Sequence, residues 1–237
     1  MSPSRLQEVR CPRCGQTHGA TVHDAIDAVL DPALKVDLLS TRLFQHACPA
    51  CGERWHAART LLYGDPVKGL LIWLYPGEAD DEARRRLTAA IDEKVGPGVR
   101  ETCTLRLVAS PPDLIEKVMI FDAGLHDMVV ELIKLTVAGL SPAAQGARLR
   151  FSPPAARSLV GQDLPFAIIK PGAKVATMLV PWAHHEMVVE RFPGLLVAAE
   201  TSKGSLVTVD ESFALDAFRP DEAPPAPKAA KAAKKKG

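Results

Sequence analysis

The residues best suited to chemistry are four cysteines in two copies of one short motif. Cys11-Pro12-Arg13-Cys14-Gly15 lies near the amino terminus, and Cys48-Pro49-Ala50-Cys51-Gly52 repeats it. Two cysteines separated by two residues can bind one ion from a tight turn, and four thiolates complete the tetrahedral shell of a structural zinc ion. The proline in each turn restrains φ, and the glycine supplies the positive φ that closes the turn. The sequence therefore predicts a structural zinc site formed by Cys11, Cys14, Cys48 and Cys51.

Three other interpretations of the motif remain open. Disulfides are disfavoured because the chain has five cysteines and because residues 1–9 contain no apolar run typical of a secretory signal. A reducing cytosol then favours metal binding. A one-iron site of the rubredoxin type uses the same turn, and sulfur ligands alone do not exclude iron. A redox-active dithiol fits a duplicated motif poorly.

Four histidines lie close to the motif in sequence, and any of them could replace a cysteine as a metal ligand. Because four cysteines already complete the shell, we interpret these histidines as surface groups or as groups that contact the ligands. They are His18, His23, His46 and His56.

The bulk properties are those of a protein that buries an ordinary core. The chain has 237 residues, which suffices for one large domain or two small ones, and 47% of them are hydrophobic. The longest apolar stretch, residues 69–75, is strand-sized and far shorter than the ~20 residues of a membrane helix. We therefore predict a cytoplasmic protein without membrane contact.

The net charge of +1 hides an asymmetry along the chain. Residues 220–237 contain five lysines and two acidic residues, a net charge of +3 that leaves −2 for the rest. An acidic body binds nucleic acid poorly, because affinity for phosphate requires clustered positive charge. The tail is rich in Pro, Ala and Lys and is predicted to be disordered. It could make weak contacts with nucleic acid.

The elements around the motif predict hairpins that carry the cysteines at their tips. We call residues 11–15 the first knuckle and residues 48–52 the second. Strands at 6–10 and 17–26 flank the first knuckle, and strands at 42–47 and 53–59 flank the second. A helix from 33 to 39 is inserted between them, with Asp31 as its cap and Pro32 at its first position. This arrangement resembles a zinc ribbon with a helical insertion.

The remaining elements predict an α+β fold, in which paired knuckles on an antiparallel sheet are joined by packed helices and followed by a smaller α+β unit. Residues 69–76 are predicted to be a central strand buried on both faces. The other predicted strands are 99–109, 164–170, 174–181, 195–199 and 205–209, and the other helices are 80–95, 113–122, 125–138, 182–192 and 211–218.

The predicted domain organisation follows these elements. Residues 1–140 form the zinc-binding domain, 141–154 a linker rich in Pro, Ala, Gly and Ser, 155–219 the small α+β unit, and 220–237 the tail.

Candidate catalytic residues are few. The sequence favours a non-enzymatic function but leaves open whether the chain is an enzyme. Cys103 has no partner base that the sequence can place beside it, which favours a small core residue. His184-His185-Glu186 lacks the second histidine of the zinc-protease pattern, because positions 188 and 189 are both Val. The other candidates are Asp65 and the pair His126 and Asp127.

The combination of these motifs resembles the CpXC family, which is named for the repeated knuckle. The resemblance covers about residues 7–137 and also includes Arg42-Leu43-Phe44, residues 61–66, 72–76 and 119–125. It implies a bacterial origin and metal binding by Cys11, Cys14, Cys48 and Cys51, but it implies no catalytic residue and no substrate. We therefore expect a protein-interaction or regulatory module with a structural zinc site and an unknown protein partner. The alternative is a nucleic-acid-associated zinc-ribbon protein that uses its lysine-rich tail.

Overall fold

The computed structural model describes residues 4–154, 158–171 and 173–218. The chain divides into two compact units, Met1–Ile115 and Glu116–Gly237. The sequence-based division into domains, with a linker at 141–154, stays a prediction. The predicted tail, 220–237, lies outside the described residues. Both units contain helices together with antiparallel strand pairs, which confirms the α+β class.

The first unit contains the knuckles, a mixed sheet and three complete helices. Its strands are β1 (Ser4–Arg10), β2 (Thr17–His23), β3 (Ala25–Asp27), β4 (Gln45–Ala47), β5 (Arg54–His56), β6 (Leu61–Asp65), β7 (Leu70–Leu74) and β8 (Thr104–Val108). Its helices are α1 (Pro32–Leu39), α2 (Asp81–Val95) and α3 (Pro97–Thr102), and α4 (Pro111–Asp122) starts within it. A 3-10 turn, Arg42–Phe44, precedes β4.

Two antiparallel hairpins carry the cysteine motifs, as predicted. β1 pairs with β2 along seven residues, from Ser4 opposite His23 to Arg10 opposite Thr17. β4 pairs with β5 over three residues. Because the side chains of a strand alternate between its faces, β1 and β2 together have one exposed face and one half-buried face, on which Val22 is fully buried.

Four strands of the first unit pair in the order β3-β6-β7-β8. β6 and β7 are antiparallel, whereas β3–β6 and β7–β8 are parallel. All five residues of β7 are buried, which confirms the predicted central strand. The Trp73 indole N–H donates to the carbonyl oxygen of Leu87 in α2 at 3.1 Å, so this aromatic belongs to the core.

Helix α2 follows the sequence prediction closely. The Asp80 side chain accepts a hydrogen bond from the backbone N–H of Ala83 at 2.7 Å and caps the helix. Ala83, Leu87 and Ile91 form its buried stripe, while Arg85 and Arg86 are exposed.

The second unit packs helices and a small sheet around one apolar core. Its elements are the rest of α4, α5 (Asp127–Leu140), β9 (Arg148–Phe151), β10 (Leu164–Lys170), β11 (Ala173–Val180), α6 (Trp182–Arg191), α7 (Gly194–Thr201), β12 (Leu206–Val207) and α8 (Glu211–Ala217). β9, β10 and β11 form an antiparallel sheet in the order β11-β10-β9. Helix α5 packs against α6, α7, α8 and β9. The rings of Phe151 and Phe166 meet edge to face at 5.7 Å in the core.

Three segments differ from the predicted secondary structure. Residues 97–102 form helix α3, because Pro97 suits a first helical position, and Arg100 binds Asp92 of α2 at 2.6 Å. Residues 195–199 belong to helix α7, in which Leu195 and Ala199, four residues apart, are both buried. Strand β9 lies within the predicted linker, and its alternation of Leu149 and Phe151 with two arginines is the pattern of a half-buried strand.

Two smaller differences concern the flanks of the second knuckle and of α1. Residues 42–44 form a 3-10 turn instead of the start of a strand. The Asp31 side chain makes no capping hydrogen bond to α1, although Pro32 occupies the first turn as predicted. None of the helices within the described residues is long and apolar enough to cross a membrane.

Candidate metal centre

The two knuckles share one pattern of backbone hydrogen bonds. In the first, the Cys11 N–H donates to Gln16 O at 2.9 Å and the Gly15 N–H donates to Cys11 O at 3.0 Å. In the second, Cys48 donates to Glu53 O at 2.8 Å and Gly52 donates to Cys48 O at 2.9 Å. The repeated sequence thus folds into a repeated turn.

The glycines of the knuckles have the conformation that the sequence predicted. φ is 74° at Gly15 and 72° at Gly52, values that side-chain-bearing residues rarely adopt. A Cβ atom added at Gly52 would meet nothing within 4 Å. Glycine is therefore required at this position by backbone conformation and not by crowding.

The four sulfur atoms converge on one point. Cys11 Sγ lies 3.7 Å from Cys51 Sγ, and Cys14 Sγ lies 3.6 Å from Cys48 Sγ, so each close pair joins the two knuckles. All four sulfurs lie within 4.8 Å of one another. Tetrahedral coordination at a Zn–S distance of about 2.3 Å places sulfur atoms about 3.8 Å apart. The cluster therefore has the size that a four-sulfur metal shell requires.

The four-cysteine cluster is half buried and half accessible. Cys11 and Cys48 are 1% and 3% exposed, Cys51 is intermediate and Cys14 is exposed. An ion at the centre of the four sulfurs would thus be held at the protein surface, with Cys14 on the side facing solvent.

Hydrogen bonds and burial shift the pKa values of the two thiols in the second knuckle. The backbone N–H of Cys51 lowers the pKa of the Cys48 thiol to about 7, against a smaller opposing effect of burial. The backbone N–H of Glu53 lowers the pKa of Cys51, but burial and hydrogen bonds to the other three cysteines outweigh it and raise that pKa to about 12. The two thiols of the second knuckle are therefore shifted in opposite directions.

Polar and aromatic contacts lie beside the knuckles, and one ion pair joins the two. Arg10 Nε donates to Gly15 O at 3.2 Å, and Arg13 of the first knuckle lies 3.5 Å from Glu53 of the second. Trp55 on β5 contacts the His18 ring edge to face at 5.8 Å.

The nearby histidines lie outside the group of residues that could hold a metal ion, which within the described residues consists of the four cysteines. His46 is 7% exposed and stacks on Trp55 at 5.5 Å, and burial together with the charge of Arg59 lowers its pKa. His56 is exposed, and His18 and His23 are half-buried. Trp55 therefore contacts one histidine of each hairpin.

The other residues singled out in the sequence have structural contacts. Cys103 is buried at the junction of α3 and β8, just before the strand in which it was expected. Asp65 lies 3.5 Å from Lys35, and it accepts the backbone N–H of Lys68 at 3.3 Å in the turn after β6. His126 caps α5 by accepting the Met128 N–H at 3.3 Å.

The cluster at 184–186 is dispersed over the surface of α6. His184 Nε2 lies 2.8 Å from Thr136 Oγ1. His185 stacks on Trp182 at 4.1 Å, and the Trp182 indole N–H donates to Glu186 at 3.1 Å. Burial lowers the pKa of both histidines.

Sequence reasoning missed a buried ionic network in the second unit. Lys117 Nζ lies 3.2 Å from Asp127 and 3.1 Å from Glu131, which also binds Lys134 at 2.8 Å. Glu116 binds Lys134 at 3.2 Å and accepts the Phe151 N–H at 2.6 Å. The missed signal is the i, i+4, i+7 spacing of Asp127, Glu131 and Lys134 in a helix whose first two turns are otherwise apolar.

Comparison with known proteins gives one family. A family model described as CpXC protein matches residues 9–134, slightly more than half of the chain, and the matched region includes all four cysteines. No match to the chain was found among curated proteins or among solved structures.

Proposed function

This chain belongs to the CpXC family, and we propose that its four cysteines bind one zinc ion with a structural role. The observation that supports the proposal is the convergence of four sulfurs, with Sγ–Sγ distances of 3.6 Å and 3.7 Å between cysteines of different knuckles. Four protein ligands fill a tetrahedral shell, so no position remains at which zinc could activate water.

Zinc suits the site better than iron for a structural role. Both metals accept four thiolates, but zinc has no redox chemistry that could change the geometry of the site. We place the protein in the cytoplasm, where thiols stay reduced and available to the metal.

The hairpins need a source of stability beyond their own packing. A two-stranded hairpin is marginally stable alone. Val22 is the fully buried residue of β1 and β2, and β4 and β5 pair over three residues each. Metal binding then supplies folding free energy to this part of the chain.

Metal analysis tests the structural role. We expect one zinc per chain in the purified protein and a large fall in the melting temperature of the first unit after treatment with a strong chelator. Cys48→Ser should lose the metal and the protection of β1 and β2 from hydrogen exchange, while Cys103→Ser, which changes a cysteine outside the cluster, should retain both. Iron in place of zinc, or Cys48→Ser protein with full metal content and a normal fold, would refute the proposal.

We further propose that the zinc-stabilised hairpin β1–β2 contacts a protein partner. Its exposed face contains Leu6, which is 77% exposed and lies across Gly19. Leu6 is an apolar side chain that shares this face with Glu8 and Arg10 of β1 and lies opposite Thr21 of β2. It offers one hydrophobic anchor within a polar rim, which is the usual pattern of a protein interface.

Site-specific photocrosslinking in the native host tests this surface. A crosslinking amino acid at Leu6 should capture one or a few proteins that the same amino acid at Val67, an 82% exposed residue of the β6–β7 turn, does not capture. Capture at Leu6 should disappear in the Cys48→Ser background. Equal capture at both positions would contradict a role for the hairpin.

A further inference from the structure

The outer edge of the sheet in the second unit is an accessible strand. Strand β11 pairs with β10 on one side, and among the described residues no strand pairs with its other side. Residues 173–177 and 179 are exposed, and Leu179 is 64% exposed. An edge of this kind presents unpaired backbone N–H and C=O groups to any strand that can approach.

We propose that this edge binds the same edge of a second copy of the chain, so that two β11 strands pair antiparallel about a twofold axis. Antiparallel self-pairing requires that residues at equal distances from the axis be compatible. The proposal concerns the second unit and is independent of the metal centre.

The strand itself selects the register. A bulge at Val175 interrupts the pairing with β10, because Ile168 is opposite Ala176 whereas Ile169 is opposite Lys174. At the other end Pro181, which has no N–H, follows the strand. The regular segment is therefore 176–180, and an axis at Met178 pairs all of it.

In this register the two positions that disturb strand pairing, the bulge at Val175 and Pro181, lie opposite each other. Val175 of one copy lies opposite Pro181 of the other, so neither interrupts the five regular pairs. Thr177 lies opposite Leu179, and Ala176 lies opposite Val180. The exposed Leu179 side chains would then be covered on the outer face of a continuous six-stranded sheet.

The charge distribution favours a second copy as the occupant. Residues 175–180 contain no charged side chain. The single charge of β11, Lys174, lies four residues from the axis. At about 3.4 Å per residue the two lysines are separated by roughly 27 Å, well beyond the screening length of about 8 Å at physiological ionic strength. Five paired residues cover less than a standard interface of about 1,600 Å², so we expect a weak, concentration-dependent dimer.

Sedimentation equilibrium of the intact, metal-containing chain tests the proposal. We expect wild-type protein to shift from monomer to dimer between about 5 and 500 µM. Thr177→Lys/Leu179→Lys places like charges opposite each other twice and should weaken association by about tenfold or more. Thr177→Lys/Leu179→Glu places opposite charges at the same pairs and should associate within about threefold of wild type.

The two double variants differ at one side chain, so their comparison isolates contacts across the axis. Val197→Lys, which changes a 62% exposed residue of α7, should associate like wild type. Hydrogen exchange at 176–180 should slow as the wild-type concentration rises, a readout that needs no variant. Monomeric wild type at all concentrations, or equal association of the two double variants, would overturn the proposal.

Discussion

Replacing Lys117 with methionine tests whether the buried ionic network stabilises the second unit. Methionine keeps an unbranched side chain, one atom shorter than that of lysine, and removes its charge. The Lys117 side chain is 4% exposed and lies between Asp127, which is 0% exposed, and Glu131, which is 6% exposed. Burial alone would lower the pKa of Lys117, but the carboxylates of Asp127 and Glu131 outweigh it and raise that pKa. The ammonium is therefore charged in the folded protein.

The expected effect follows from the distances. At an effective dielectric constant of about 20, one pair at 3.1 Å attracts by about 5 kcal/mol, and Lys117 has two such partners. Removal of the ammonium from water costs several kcal/mol and offsets much of this attraction. The variant leaves two buried carboxylates without that cation, and we expect it to lower the free energy of unfolding by about 3–5 kcal/mol.

A matched control isolates the effect of burial. Lys203 lies 2.7 Å from Glu200 on the surface, where the side chains are 38% and 72% exposed. Lys203→Met should therefore cost less than about 0.5 kcal/mol. Urea unfolding followed by circular dichroism gives the two values, and hydrogen exchange in α5 assigns the loss to the second unit. A cost below about 1 kcal/mol for Lys117→Met, or equal costs for both variants, would refute the reasoning.

Three further predictions concern the cysteine outside the cluster, the knuckle turn and the histidines of α6. Cys103→Ala should cost about 1–2 kcal/mol in urea unfolding, as an ordinary small core change does, and should leave the metal content unchanged. Gly52→Ala should destabilise the second knuckle by about 1–2 kcal/mol through its positive φ, whereas Gly52→Asn should cost less, and melting curves rank the two. Because burial lowers the pKa values of His184 and His185 below 6.5, the unfolded chain takes up protons first as the pH falls. The contribution to stability is therefore present above about pH 6.5 and is lost as the pH falls below that value. His184→Gln/His185→Gln should flatten this pH dependence relative to wild type, and an unchanged slope would contradict it.

The cysteine cluster was predictable because its determinants are local. The repeated Cys-Pro-x-Cys-Gly motif specifies the turn, the positive φ and the two cysteines within five residues, and each knuckle folds as predicted. Helix α2 and strand β7 were predictable for the same reason. The capping residue, the spacing of apolar residues and the glycine that ends α2 all lie within one segment, as does the apolar run of β7.

The missed features depend on residues that are distant in sequence. The pairing of Lys117 with Glu131 requires that α4 and α5 pack together, and no local pattern gives that contact. Strand β9 was assigned to a linker because Pro, Ala and Gly surround it, although its own four residues alternate. Helix α7 was missed because five apolar or small residues in a row suit either a strand or a buried helix.

The spacing of the knuckles gives the metal centre a topological consequence. Cys11 and Cys48 are 37 residues apart, as are Cys14 and Cys51, so a bound ion would close a loop that contains β3. For a covalent cross-link, closing a loop of this length lowers the entropy of the unfolded chain by an amount worth about 4 kcal/mol. Within the first unit β3 covers the edge of β6, where Ala28 and Leu62 donate backbone hydrogen bonds to Gly64 and Asp24. If metal loss releases that loop, the buried edge of β6 is uncovered, and an uncovered apolar edge promotes aggregation. The ion would then protect the protein from self-association as much as it holds the hairpins in place.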